Sequence, residues 1–329
     1  MSPALDGGDV RVNLQFEDPG AYKTLDTTRS PFVPGSSGTL ESAEAVNNIT
    51  RITNFASDVA VAMKEAGFDG AWSLSFGLTN PWWLESIYGA PSTTDNGDGS
   101  YTHSYSLGDP TPFQLFEGYE TSTRAERTLQ GCVPGRVAIG PSVDEDGETR
   151  ITMEGFYATE DTQTGVTLTT QDGLDDDALD YSDATLKRGG SAEAIVQDAT
   201  LELAWEQSEV IRGFGSRVAI DFLVGLFAPN LDYSKLKQDA ATIQDLYGGA
   251  SATTVQESMD NEASAELALD NGKSAGSGIN KHVYSLSTTL PDSYNEDGPG
   301  NPNAAIVEQL SRPAADATVS VTNEAASPP

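Results

Sequence analysis

Positive charge is scarce in this sequence: 18 lysines and arginines, only 7 of them lysine, stand against 50 aspartates and glutamates. A protein that grips duplex nucleic acid needs a basic footprint, and none is present. Runs such as Asp144-Glu145-Asp146 and Asp175-Asp176-Asp177 would repel phosphate. Cysteine is almost absent, and Cys132 alone excludes an intrachain disulfide framework. Two histidines, His103 and His282, leave little material for a zinc site. There is no Gly-x-Ser-x-Gly nucleophile elbow and no Gly-x4-Gly-Lys-Ser/Thr phosphate loop. No apolar run approaches the roughly 18 residues of a membrane span, and no basic, apolar leader opens the chain. The expectation is a chain made inside a cell, with no catalytic residue, cofactor, metal or membrane partner.

What remains is ample for a folded protein. The 329 residues are 37% hydrophobic, enough to bury a core, and carry a formal charge of −32. At about 1 M salt the Debye length falls to roughly 3 Å, so such a surface no longer repels itself at long range. The acid-rich, lysine-poor balance resembles proteins adapted to molar salt. Cys132 reads as a small packed residue, and both histidines, each beside tyrosine in a strand pattern, read as packing groups.

Along the chain, residues 1–40 are rich in Gly and Pro and read as an extended arm, with one strand-like alternation at 10–16. Phe55, Val59, Met63 and Ala66 recur at helical spacing, so the pattern predicts an amphipathic helix over 54–67. Trp72, Leu74 and Phe76 alternate as in a strand. Residues 81–88 read as a short helix opened by Pro81 and stopped by Gly89. The cluster at 95–99 reads as a turn into a strand at 101–107; its glycine is out of step for a calcium loop. Residues 136–143 and 148–156 form the clearest hairpin, around an acidic turn. Residues 161–195 read as an acidic linker. Strands follow at Leu201, Leu203 and Trp205 and at Val218, Ile220, Phe222 and Val224. Leu236, Ala240, Ile243 and Tyr247 mark a helix, and strand patterns return at 265–269, 283–286 and 318–322.

Two passages recur in the same order. Leu84-Glu85-Ser86-Ile87-Tyr88-Gly89 and the following Ser92-Thr93-Thr94 are echoed by Ile243-Gln244-Asp245-Leu246-Tyr247-Gly248 and Thr253-Thr254. His103-Ser104-Tyr105-Ser106-Leu107 is echoed by His282-Val283-Tyr284-Ser285-Leu286. The echoes predict two similar units: an arm (1–40), a first domain (41–160), the acidic linker (161–195), a second domain (196–325) and a short tail (326–329).

Pro112-Phe113-Gln114-Leu115-Phe116-Glu117-Gly118-Tyr119 leads toward Leu129-Gln130-Gly131-Cys132-Val133-Pro134-Gly135-Arg136, and Ile151-Thr152-Met153-Glu154-Gly155-Phe156 follows. This run, within residues 80–160, resembles the tail tube proteins of long-tailed double-stranded DNA viruses, and the composition suits one infecting a halophilic archaeon. The resemblance implies a mainly β fold with flanking helices: two tandem β-sandwich domains contributing strands to an intersubunit β-barrel. It implies rings of six such domains; taken with the echo, that is a ring of three two-domain copies with pseudo-sixfold symmetry, or alternatively six copies. Such rings would stack into a tube with other tail proteins, and viral DNA would pass through the lumen without specific binding. No catalytic residue transfers with the resemblance. Candidates for the lumen or ring contacts are Asp144, Glu145, Asp146, Glu148, Arg150 and Glu154, for which a solvated outer face is the alternative. Rival classes are another virion or cell-surface structural module and a halophilic carbohydrate-active enzyme.

Overall fold

The structure, a computed structural model, describes residues 10–53, 60–119, 125–141, 147–162, 165–168, 178–206, 208–249, 251–259, 262–298 and 305–327. The first half runs through β1 (Val10–Phe16), β2 (Ser36–Thr53) and β3 (Ala60–Gly77), then a 3-10 turn and α1 (Glu85–Tyr88). It continues through β4 (Ser92–Asp95), β5 (Tyr101–Tyr105), β6 (Phe113–Tyr119), β7 (Arg127–Gly140), β8 (Arg150–Tyr157) and β9 (Thr159–Asp161). The second half opens with β10 (Ala184–Arg188), β11 (Ser191–Ala192), β12 (Val196–Ala204), β13 (Glu209–Ile211), β14 (Asp221–Leu223) and β15 (Asn230–Leu236). After α2 (Ala241–Leu246) come β16 (Ala263–Asp270), β17 (Lys281–Thr289), β18 (Ser293–Asp297) and β19 (Val307–Asn323).

Apart from β13 and β14, which pair only with each other, the strands form three connected ladders, because β7 and β19 are long enough to serve two each. The largest has the order β2-β3-β8-β7-β12-β15-β19-β18, antiparallel throughout. Behind it lie β1-β6-β7-β9 and β10-β16-β17-β19-β5-β4. β7 changes ladder at Gly131, whose φ of +69° is a left-handed conformation that glycine adopts without strain. Its N–H is held 2.8 Å from Glu17 Oε1, and the adjoining Cys132 is buried.

Alternation dictates which faces meet. Leu74, Phe76, Val137, Ile139, Ile151 and Met153 point inward from the large ladder, and Leu201, Leu203 and Leu231 continue the same layer. Leu14, Phe113, Leu115, Leu267 and Val321 face them from the smaller ladders, giving one core. Residues 10–34, read from the sequence as part of an arm, are instead tied in: β1 pairs along its length with β6, and Phe32 is 1% exposed. β10 and β11 likewise lie within the segment read as a linker, and β10 pairs with β16.

The helix expected over 54–67 is corrected. Its described part, from Ala60 on, is strand, continuously paired to β2. Cross-strand pairing overrides a weak helical spacing. Phe55 and Val59 lie outside the described residues. The strand expected through 218–224 is only Asp221–Leu223, and the helix expected from Leu236 begins at Ala241 because Leu236 closes β15.

Candidate assembly surface

The large ladder buries one face and offers the other to solvent, and register shows what stands on it. Gly77, Arg150, Gly140, Thr200, Asp232 and Ser311 fall in adjoining register on successive strands from β3 to β19. The neighbouring row carries Ser75, Thr152, Ala138 and Glu202, and the row beyond it Ser73, Glu154, Arg136 and Ala204. These are small, polar or charged side chains, as the pleat requires when the residues between them turn inward, apolar for the most part, with Glu308 and Arg312 the buried charges on β19.

Arg136 organises the centre of the face. Its guanidinium reaches Glu202 on β12 at 2.6 Å and Glu154 on β8 at 3.8 Å, bridging the strands where the halves join. The hydrogen bond Arg136 donates to Glu202 is the largest influence raising the arginine's pKa. Arg150 donates to Ser75 Oγ at 3.0 Å and lies 3.7 Å from Glu148. Further along, Asn230 donates to Asp232 at 3.0 Å, and Ser234 donates to Asp198.

Of the sequence candidates, Arg150 and Glu154 therefore stand on this face. Glu148 sits at its end, accepting from Ser36 and forming an isolated bridge with Asp180. Asp144, Glu145 and Asp146 lie outside the described residues. Sequence reasoning missed Arg136, Asp198, Glu202 and Asp232. The signal was present: Arg136 precedes Val137 and Ile139 in alternation, and Asp232 separates the buried Leu231 and Tyr233.

The ladder's two ends are open. β2 pairs only with β3, and β18 only with β19, among the described residues. An open edge presents unpaired N–H and C=O groups that another strand can satisfy. The exposed apolar side chains of Val46 and Ile49 lie on the β2 edge strand. Inside the chain, the same kind of boundary is already closed: β7 meets β12 with Glu202 opposite Ala138 and Ala204 opposite Arg136.

No group of three or more metal-ligating side chains occurs among the described residues. No described helix is long and apolar enough to cross a membrane. A mainly β chain with a polar sheet face and open strand edges has the makings of a structural, pairing protein. The chain belongs to the phage tail tube protein family, whose model matches residues 21–321. It is thus a structural component of a virion tail, of a family that assembles into a tube with other tail proteins. No curated protein matches the chain.

Proposed function

We propose that this chain is two tandem tail-tube-like units, and that three copies close a ring with pseudo-sixfold symmetry. Rings stack into a conduit for genome delivery. One observation carries the reading: the strand order β2-β3-β8-β7 is followed in the same sheet by β12-β15-β19-β18, the same order of connections repeated. The smaller ladders repeat too, β1-β6-β7-β9 against β10-β16-β17-β19, with α1 and α2 at the corresponding connection. On this reading the units begin at β1 and β10, earlier than the sequence boundaries at 41 and 196.

The repeat also supplies a register for the seam between copies. Within the chain, β7 of the first unit meets β12 of the second. The corresponding free edges are β18 and the next copy's β2. Asn295, opposite Gln309, takes the place of Ala138 opposite Thr152. Glu44, opposite Ala71, takes the place of Glu202 opposite Asn230. The seam is therefore antiparallel, with Asn295 opposite Glu44 and Ser293 opposite Val46. Three chains of eight ladder strands would form one closed cylinder, which leaves no edge exposed.

The polar face then lines the bore. Asp198, Glu154, Glu202 and Asp232 outnumber Arg136 and Arg150 there, favouring passage of DNA without adhesion. At −32 per chain, closure of a ring is expected to need high salt, in keeping with a halophilic host.

Electron microscopy and native mass measurement of the chain purified in molar salt test the proposal. Hollow rings of three copies are expected, stacking into tubes. Monomers that never assemble, or rings of six, would overturn it. Ala45→Pro removes an N–H on the outer side of β2, the side the seam would use, and should leave a folded monomer that no longer closes rings.

A further inference from the structure

We infer that residues 251–259, between α2 and β16, are a strand donor for the neighbouring copy, adding to the open edge of that copy's β9. The inference rests on the ring reading above. Its precedent lies inside the chain. The corresponding connection of the first half, between α1 and β6, holds the hairpin β4–β5, which does not complete its own unit's ladder. It crosses to the second half, where β5 pairs with β19 from Tyr105 opposite Val319 to Tyr101 opposite Asn323. The first unit thus lends a strand to the unit that follows it around the sheet.

In the repeat, β9 stands where the C-terminal half of β19 stands. β9 pairs with β7 on one side, as β19 pairs with β17. On its other side, where β19 receives β5, β9 has no paired strand among the described residues. The unit preceding β9 around a closed ring is the second half of another copy. The donor of that half is the segment after α2.

The segment carries the sequence of a donor. Gly248 ends α2 with φ +115° as Gly89 ends α1 with φ +80°. Ser251-Ala252-Thr253-Thr254 follows, as Ser92-Thr93-Thr94 follows Gly89, and Ser92–Asp95 is β4. Residues 251–259 nevertheless belong to no strand of their own chain. Val255 is 74% exposed and Met259 is 41% exposed, apolar surface that this fold leaves uncovered. The segment is held at its base, where Gln256 N–H donates to Tyr247 O at 2.8 Å. The segment is shorter than the β4–β5 connection and fits the addition of a single strand.

Amide hydrogen exchange on the full chain, comparing rings in molar salt with the dissociated protein, tests this directly. Exchange at residues 159–162 and 251–257 should slow at least tenfold in the ring. Rings that form without that protection would overturn the donor and leave the ring reading standing, whereas a chain that makes no rings overturns both. The double variant Thr253→Pro/Val255→Pro removes two N–H donors without shortening the segment. It should raise the protein concentration for half-assembly at least tenfold, and assembly at the wild-type concentration would also overturn the donor. If the variant does not fold, the wild-type exchange result decides alone.

Discussion

At matching places in the two proposed units, the first sets Trp72 opposite Gly155, and the second sets Leu231 opposite Arg312. In the first half the indole fills the space: Trp72 is 2% exposed and meets Phe113 edge-on at 5.3 Å. A Cβ on Gly155 would lie 2.1 Å from Val133 O and 2.9 Å from the Trp72 ring, so glycine is required by volume. In the second half the smaller leucine leaves room for a long side chain. Arg312, 1% exposed, runs under the sheet to Asp245 of α2 at 2.9 Å, and Arg188 reaches the same carboxylate at 2.6 Å. At the position of Asp245, α1 carries Ser86, whose hydroxyl donates to Trp83 O. One ladder geometry thus accepts an aromatic plug or a buried ion pair, and the two halves should fail for different reasons.

The largest effect falls on the second half. Asp245→Ala strands Arg312 inside the protein, and removal of one partner of a buried pair costs about 3–5 kcal/mol. Denaturant unfolding in molar salt should register that loss. The double variant Asp245→Leu/Arg312→Met removes both charges and should recover most of it; failure to recover would mean that the ion pair is not what holds α2 to β19. The first half should break by volume instead. Gly155→Ala should cost about 2–3 kcal/mol through overpacking. Because the nearest obstacle is the Val133 carbonyl, Trp72→Phe in the Gly155→Ala background should recover little, and recovery of most of the loss would move the obstacle to the indole.

The histidines supply the next effect, one from each half. His103 and His282 lie opposite the same residue, Val321, on its two sides. Burial, and then the neighbouring His103, push His282 down to about 3. Burial also lowers His103, partly offset by hydrogen bonds to Asn323 and the Ala325 carbonyl. A depressed histidine favours the neutral fold, so its contribution is fully present above the unfolded value of about 6.5. It drains away as pH falls toward 3, by roughly 2 kcal/mol at pH 5 for His282. Glu17 has the opposite sign: burial raises it to about 7 despite N–H donors from Lys23 and Gly131, so its contribution fades as pH rises from 4.5 through 7. His282→Phe should flatten the acid limb of a stability-against-pH curve and Glu17→Gln the neutral one. An unchanged acid limb in His282→Phe would remove His282 as its cause.

Those histidines also mark how far the sequence could be read. Alternation made β7, β8, β12, β16 and β17 legible, and Pro81 with Gly89 bracketed the turn and helix that became Trp82–Leu84 and Glu85–Tyr88. The echo ending at Tyr88-Gly89 and Tyr247-Gly248 falls on α1 and α2, which hold corresponding places on the proposed two-unit reading. The histidine echo does not: β5 is the lent hairpin, while β17 corresponds to the first part of β7. Similar residues recur there because both strands flank β19 and face one buried environment. β3 was misread because its partner is β2, a relation no local spacing records. The polar face was half legible for the same reason. Arg150 and Glu154 share a strand, but Glu202 joins them only through the β7–β12 pairing.

The smallest effect sharpens the comparison most. Arg136 resembles Arg312 in chemistry: a guanidinium in an antiparallel ladder, 2.6 Å from one carboxylate and 3.8 Å from a second. Its side chain, however, is 48% exposed, against 1% for Arg312. Water already solvates the Arg136 charge and those of Glu154 and Glu202, so Arg136→Ala leaves nothing buried and unpaired. The expected loss is below about 1 kcal/mol and shrinks further with added salt. Denaturant unfolding of Arg136→Ala at low and molar salt checks this, and a loss of the Asp245→Ala size would mean that burial does not set the cost of a charge here. The same variant makes the proposed bore more negative by one charge in each unit that carries it. A charge whose removal scarcely alters folding is free to be set by what passes over the face.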